Sequence, residues 1–151
     1  MKLERVQVPS LEPNRGYSHA VTVDGPSRLI FLAGHTALDA SGAMAGNTIV
    51  QQFERALSNL LVSLAAAGGS ADDLASMTIF VVGLGSYRAE SRAIGSIWRR
   101  LAGEHYPAMA VIGVTRLWDE AALVELQAVA AVPVPTDGAS PAGTAQSHDG
   151  D

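Results

Sequence analysis

Six segments of this chain pattern as strands and only two as helices, and that imbalance limits what it can fold into. The strand segments are residues 3–8, 20–23, 29–33, 75–82, 110–114 and 122–132, giving the order β-β-β-α-β-α-β-β. Asp24-Gly25 reads as the turn between the second and third. Ile79-Phe80-Val81-Val82 is an unbroken apolar run of the kind found in strands covered on both faces. In 122–132 the period of two puts Val124, Leu126, Ala128, Ala130 and Val132 on one face, and Leu123, Glu125, Gln127 and Val129 on the other. Two helices cover one face of such a sheet, and nothing remains in the chain for the other. The second face is therefore expected to meet another subunit.

The first helix is expected over residues 48–67, capped by Asn47 and ended by Gly68-Gly69. Ile49, Val50, Phe53, Leu57, Leu60, Leu61 and Leu64 form its apolar stripe, with Gln51, Gln52, Glu54, Arg55, Ser58 and Asn59 on the wet face. The second is expected over 87–102, capped by Ser86 and stopped by Gly103, with Ile94, Ile97, Trp98 and Leu101 as its stripe. The chain of 151 residues reads as one domain, 1–132, followed by a Pro/Gly/Ser-rich tail, 133–151, expected to be disordered.

Composition removes several classes of chemistry. With no cysteine there is no disulfide, zinc-thiolate site, iron–sulfur cluster or thiol nucleophile. Charged residues are only 17% of the chain, which suits a surface partly buried by other copies. The net charge is −5, of which Asp137, Asp149 and Asp151 in the tail supply three, and no basic stripe forms, so nucleic acid is not an expected partner. No apolar run approaches the ~20 residues needed to cross a bilayer. Met1-Lys2-Leu3-Glu4-Arg5 lacks the apolar stretch of a signal peptide, and a cytoplasmic protein with no membrane partner is expected.

Glu125 and Gln127 are polar residues among apolar neighbours on the last strand. Two readings fit. They lie at a solvated end of the sheet, or Glu125 lines a pocket at a subunit boundary and serves as a general acid/base.

A set of short motifs bears on that choice. Arg15-Gly-Tyr-Ser-His-Ala-Val21, Leu29-Ile-Phe-Leu-Ala-Gly-His35, the helix of 47–68, Thr78-Ile-Phe-Val-Val-Gly-Leu84, Glu104-His-Tyr-Pro-Ala108 and Val124-Glu-Leu-Gln-Ala128 occur in one order. Together they resemble the Rid family (YjgF/RidA, reactive intermediate deaminases) from about residue 3 to 133. The resemblance implies an α+β, chorismate-mutase-like fold: a six-stranded mixed sheet with two helices on one face, assembled as a trimeric barrel with three inter-subunit pockets. It also implies metal- and cofactor-free hydrolysis of enamines and imines such as 2-aminoacrylate. Glu125 matches the residue thought to position the attacking water, and Tyr17 matches a pocket-lining tyrosine.

The matched positions also depart from the family pattern. Met109 occupies the place of the arginine that grips a substrate carboxylate, a charge-assisted pair worth about 1.5–3 kcal/mol. Ala33 and His35 replace a serine and a glutamine, Ser91 a helix-borne asparagine, and Ala110 a hydroxyl residue. An apolar pocket that keeps the glutamate suggests a substrate without a carboxylate, or one whose charge is held elsewhere. Arg15 is a candidate for that grip, beside its ordinary reading as a solvated loop residue. Trp118, in the loop before the last strand, either walls the pocket or covers apolar surface.

His19, His35 and His105 lack metal-ligand spacing, so no metal site is expected. His35 has the best claim to a proton-transfer role near neutral pH, against a structural, hydrogen-bonded one. The expected protein is thus a homotrimer that processes an imine or enamine other than 2-aminoacrylate, with Glu125 catalytic and Tyr17, Ala33, His35, Ser91, Met109, Ala110 and Trp118 shaping the pocket. The alternative is a non-catalytic, small-molecule-binding or regulatory trimer.

Overall fold

The computed structural model describes residues 1–13 and 15–134. The strands are β1 (Lys2–Val6), β2 (Ala20–Asp24), β3 (Ser27–His35), β4 (Leu74–Val82), β5 (Ala108–Val114) and β6 (Val124–Pro133); the helices are α1 (Ile49–Ala66), α2 (Leu84–Ala89) and α3 (Ser91–Ala102). They form two sheets rather than the single six-stranded sheet expected. β1 and β2 pair antiparallel by themselves, and the other four strands form a mixed sheet in the order β3-β6-β4-β5. β2 and β3 are separated by only Gly25 and Pro26, yet they do not share a ladder. Gly25 sits at φ 87 and Pro26 has no N–H to donate, so the chain turns a corner there instead of closing a hairpin. The expected tail begins at Pro133, which still pairs with Ser27; residues 135–151 lie outside the described residues.

β4 and β5 run parallel, which requires a crossover, and α2 and α3 supply it. α1 and α3 lie together on one face of the four-stranded sheet. The period of two in β6 is met residue by residue: Val124, Leu126, Ala128, Ala130 and Val132 are all buried. They join Ile30, Leu32, Met77, Ile79 and Val81 beneath Phe53, Leu57, Leu60 and Leu64 of α1 and Ile94, Ile97 and Trp98 of α3. Each large side chain so buried contributes about 1.5–3 kcal/mol.

The other face of this sheet carries no helix. Leu29, Phe31 and Ile112 on it are 53%, 76% and 44% exposed, values typical of surface polar residues and not of a sheet interior. The deduction that the chain lacks material to cover both faces therefore holds.

Two helix details differ from the sequence reading. Thr48, not Asn47, caps α1: its hydroxyl accepts from Gln51 N (3.3 Å), and Gln51 Oε1 accepts in return from the Thr48 and Asn47 amides. The 87–102 segment is two helices, because Gly83 at φ 83 starts α2 early and the chain leaves helical geometry at Glu90. Gly68 at φ 81 and Gly103 at φ 85 do end α1 and α3.

Gln52 and Asn59, assigned to the wet face by their polarity, lie on the inner side of α1. Gln52 is 2% exposed. Its Nε2 donates to the carbonyls of Gly46 (3.1 Å) and Ala121 (2.9 Å), and its Oε1 accepts from Leu123 N (2.7 Å). Asn59 Nδ2 donates to the carbonyls of Thr36 and Leu38 (2.9 and 2.8 Å). These amides satisfy the backbone of loops that pass under the helix, which an apolar residue could not do. Gln52→Ala removes three such bonds, each worth about 0.5–1.5 kcal/mol net, and should cost roughly 2–4 kcal/mol in urea unfolding. Gln51→Ala, which loses only the capping box, should cost about 1 kcal/mol. Equal small effects at both positions would contradict the buried role.

Candidate functional site

The candidate residues fall into two groups on opposite sides of the four-stranded sheet. The first lies on its bare face. Glu125 pairs across the ladder with Phe80 of β4. On the other flank β3 is irregular between Leu32 and His35, and this brings Gly34 under the Glu125 side chain. A Cβ at Gly34 would overlap the carboxylate, standing 2.7 Å from its Cδ. Gly34 does not adopt a positive φ. Glycine is thus needed for space and not for conformation, and its absent side chain is what seats the carboxylate. Neighbouring His35 is half-buried and in register with core-facing Leu126, so it lies on the helix side of the sheet, although Glu125 is the charge it feels. Ala110 sits across β4 in register with Thr78, which in turn faces Gln127, so it belongs to the same face. Ala33 is exposed within the β3 irregularity.

The second group lines a cleft of about 360 Å³ on the helix side, between α3 and β5. Tyr17, Ser91 and Met109 meet here, and Arg15 lines it as well. Met109 reaches it because it is in register with Met77, a core-facing residue, and so points away from the bare face. Tyr17 is brought in by the neighbouring Ser18. Its amide donates to Pro107 O (2.9 Å) and its hydroxyl to Tyr106 O (2.6 Å), pinning this loop beside the start of β5. Sequence reasoning missed Tyr87, Tyr106 and Gly95, which also line the cleft. The signal for Gly95 was helical spacing, four residues on from Ser91 in α3, whereas Tyr87 lies on α2 before the break at Glu90.

Trp118 belongs to neither group. It is 95% exposed, on a loop held in place around it. Thr36 Oγ1 donates to Asp119 Oδ2 (3.4 Å), Ala122 N donates to Asp119 O (3.0 Å), and Gln52 holds Ala121. The His19 imidazole is used structurally, its Nδ1 accepting from Val8 N (3.1 Å), while His105 is exposed and only its backbone carbonyl is engaged, accepting from Trp98 Nε1 (3.1 Å). Among the described residues no three His, Asp or Glu side chains gather as metal ligands would, and no helix is long and apolar enough to cross a membrane.

Burial lowers the pKa of His35 below its ordinary value of 6.5, and the nearby Glu125 charge opposes that shift only in part. The folded chain therefore takes up this proton less readily than the unfolded chain. The resulting stability is full above 6.5 and is lost as pH falls through the lowered folded value. Thermal unfolding of the wild type should weaken over that acidic window, and His35→Gln should flatten this part of the profile. An unchanged slope in His35→Gln would assign the acid sensitivity to other groups.

Comparison with known proteins places the chain in a family. Residues 8–132 match the family model described as endoribonuclease L-PSP. The protein DfrA of Myxococcus xanthus is 35% identical over 115 residues, covering 76% of this chain and 83% of that one. A 2-iminobutanoate/2-iminopropanoate deaminase of Capra hircus is 28% identical over 115 residues, covering 76% and 78%. The crystal structure of YyfB from Yersinia pestis, of the conserved Rid family, superimposes with a TM-score of 0.77 at 28% identity, covering 87% of this chain and all of that one. With the family match spanning most of its length and the Rid fold beneath it, the chain belongs to the YjgF/Rid family.

Proposed function

We propose that this chain is a metal-independent hydrolase of an imine or enamine, acting as a homotrimer with Glu125 as the acid/base in a pocket between subunits. One observation carries the reading. Glu125 is seated over Gly34 on a bare, apolar sheet face, while Tyr17, Ser91 and Met109 occupy a cleft on the far side of the same sheet. One copy thus presents two half-sites that it cannot join. A neighbouring copy laid against the bare face would cover Leu29, Phe31 and Ile112 and bring its own cleft toward Glu125. The relative named as an iminobutanoate/iminopropanoate deaminase supports the reaction class. RNA cleavage, suggested by the family description, fits poorly with a net charge of −5 and no basic stripe.

In the proposed step Glu125 takes a proton from water as the water oxygen attacks the C=N carbon. The nitrogen gains a proton, and the carbinolamine collapses to a carbonyl and ammonia. One water is consumed and nothing is oxidised or reduced. Met109 offers no bond to a carboxylate, so the substrate is one without that group or with its charge held by Arg15. The loss of the arginine favours a second reading, a trimer that binds a metabolite without turning it over.

Competition against semicarbazide for enzymatically generated imines tests the chemistry. Glu125→Gln should lower turnover by roughly 100-fold or more. Gly34→Ala should leave thermal stability nearly unchanged, because only the flexible end of Glu125 must move, yet reduce turnover by about 10- to 100-fold through misplacement of that carboxylate. Full activity in Glu125→Gln would remove this residue from the mechanism. If every imine is left untouched by both wild type and Met109→Arg, the binding reading takes its place.

The assembly is tested separately. Phe31→Glu puts a charge on the bare face and should shift sedimentation from trimer to monomer, with loss of activity. A wild type that sediments as a monomer, or a Phe31→Glu variant that remains trimeric, would rule out this face as the interface.

A further inference from the structure

We propose that the cleft between α3 and β5 binds a flat, uncharged aromatic ring, and that the substrate therefore carries such a ring; this extends the hydrolase reading by naming its substrate class. Every tyrosine in the chain, Tyr17, Tyr87 and Tyr106, lines the cleft, backed by the core rings Phe53 and Trp98, which are only 1% and 2% exposed. Its volume of about 360 Å³ suits a one- or two-ring molecule.

The walls are fixed. Trp98 stacks on Tyr106 with ring centroids 5.1 Å apart and planes 16° apart, and its Nε1 is bonded to the His105 carbonyl. Phe53 meets Tyr87 edge-on at 6.3 Å. Held in this way, the rings do not collapse into the space between them. Met109 adds a polarizable thioether that packs well against a ring edge.

Charge decides which π-binding ligand fits. An aromatic enclosure can also hold an organic cation. Within one copy Arg15 is the only charged side chain among the described residues lining the cleft, and the Glu125 carboxylate of a neighbouring copy would be engaged with the reacting C=N group and not with the ring. A cation would meet a like charge, whereas a neutral ring meets none. Hydroxyls of Ser91 and Tyr87 are available for a polar substituent, and burial raises the Tyr87 pKa to about 12, so it remains a donor.

Gly95 keeps the space open. A Cβ there would meet only Arg99 Nη1, at 3.7 Å, although glycine inside a helix weakens it. Gly95→Leu and Ser91→Phe both place bulk in the cleft without disturbing the core.

Ligand-observed NMR titration of the full chain with indole is the test, with choline and cyclohexanol as comparison probes. Indole should bind the wild type, and choline and cyclohexanol about tenfold or more weakly. Each cleft-filling variant should weaken indole binding by roughly tenfold while thermal unfolding shows it folded; should one fail to fold, the other carries the test. Choline binding as well as indole, no indole binding at all, or indole binding retained in a folded cleft-filling variant would each overturn the proposal. Glu125→Gln should retain indole binding. A wild type that binds indole but hydrolyses no imine would therefore sink the hydrolase reading alone, and a cleft blind to indole in an active enzyme would sink only this one.

Discussion

Everything in this fold depends on a four-stranded sheet that is apolar on both faces but covered on only one. The covered face is an ordinary core: α1 and α3 close over the inward residues of β3, β6 and β4, and the alternation of β6 is buried without exception. The bare face leaves Phe31 76% exposed. Apolar area in such amounts is costly to leave in water, at about 25 cal/mol per Å². That cost links the stability of the chain to its proposed association. It also explains why the proposed catalytic carboxylate is placed among apolar neighbours, since the face that seeks a partner is the face that bears Glu125.

Polar groups inside the fold serve to place the site. Gln52 ties the loop at Gly46 to Ala121 and Leu123, directly before the strand that carries Glu125. Asn59 holds Thr36 and Leu38, directly after His35. Both amides reach from one helix, so α1 fixes the chain beside Glu125 and the chain beside His35 from beneath the sheet. Gly34 completes the arrangement from the side by leaving room for the carboxylate.

Much of this was legible in the residues. Strand and helix order followed from period and turn residues, and counting layers was enough to point to an uncovered face. Other features were not legible, each for a physical reason. Gln52 and Asn59 read as solvated because polarity in a sequence does not reveal whether a backbone carbonyl waits on the inner side of a helix. Two sheets replaced one because strand pairing is a non-local choice, altered here by Gly25 and Pro26. Glu125 and Met109 read as parts of one pocket, yet they face opposite ways. The direction of Met109 was set by its parallel register with Met77, and no local pattern encodes register between strands separated by two helices.

The sequence by itself determined the family, the element order, the inward face of β6 and the shortage of covering helices, because these follow from local periodicity and from motifs in fixed order. Tertiary structure alone decided which candidates meet. It seated Glu125 over Gly34, gathered three tyrosines from distant segments around Met109, and put the sheet between these groups. Register and side-chain space are properties of the packed whole, and they exist only once the strands have paired.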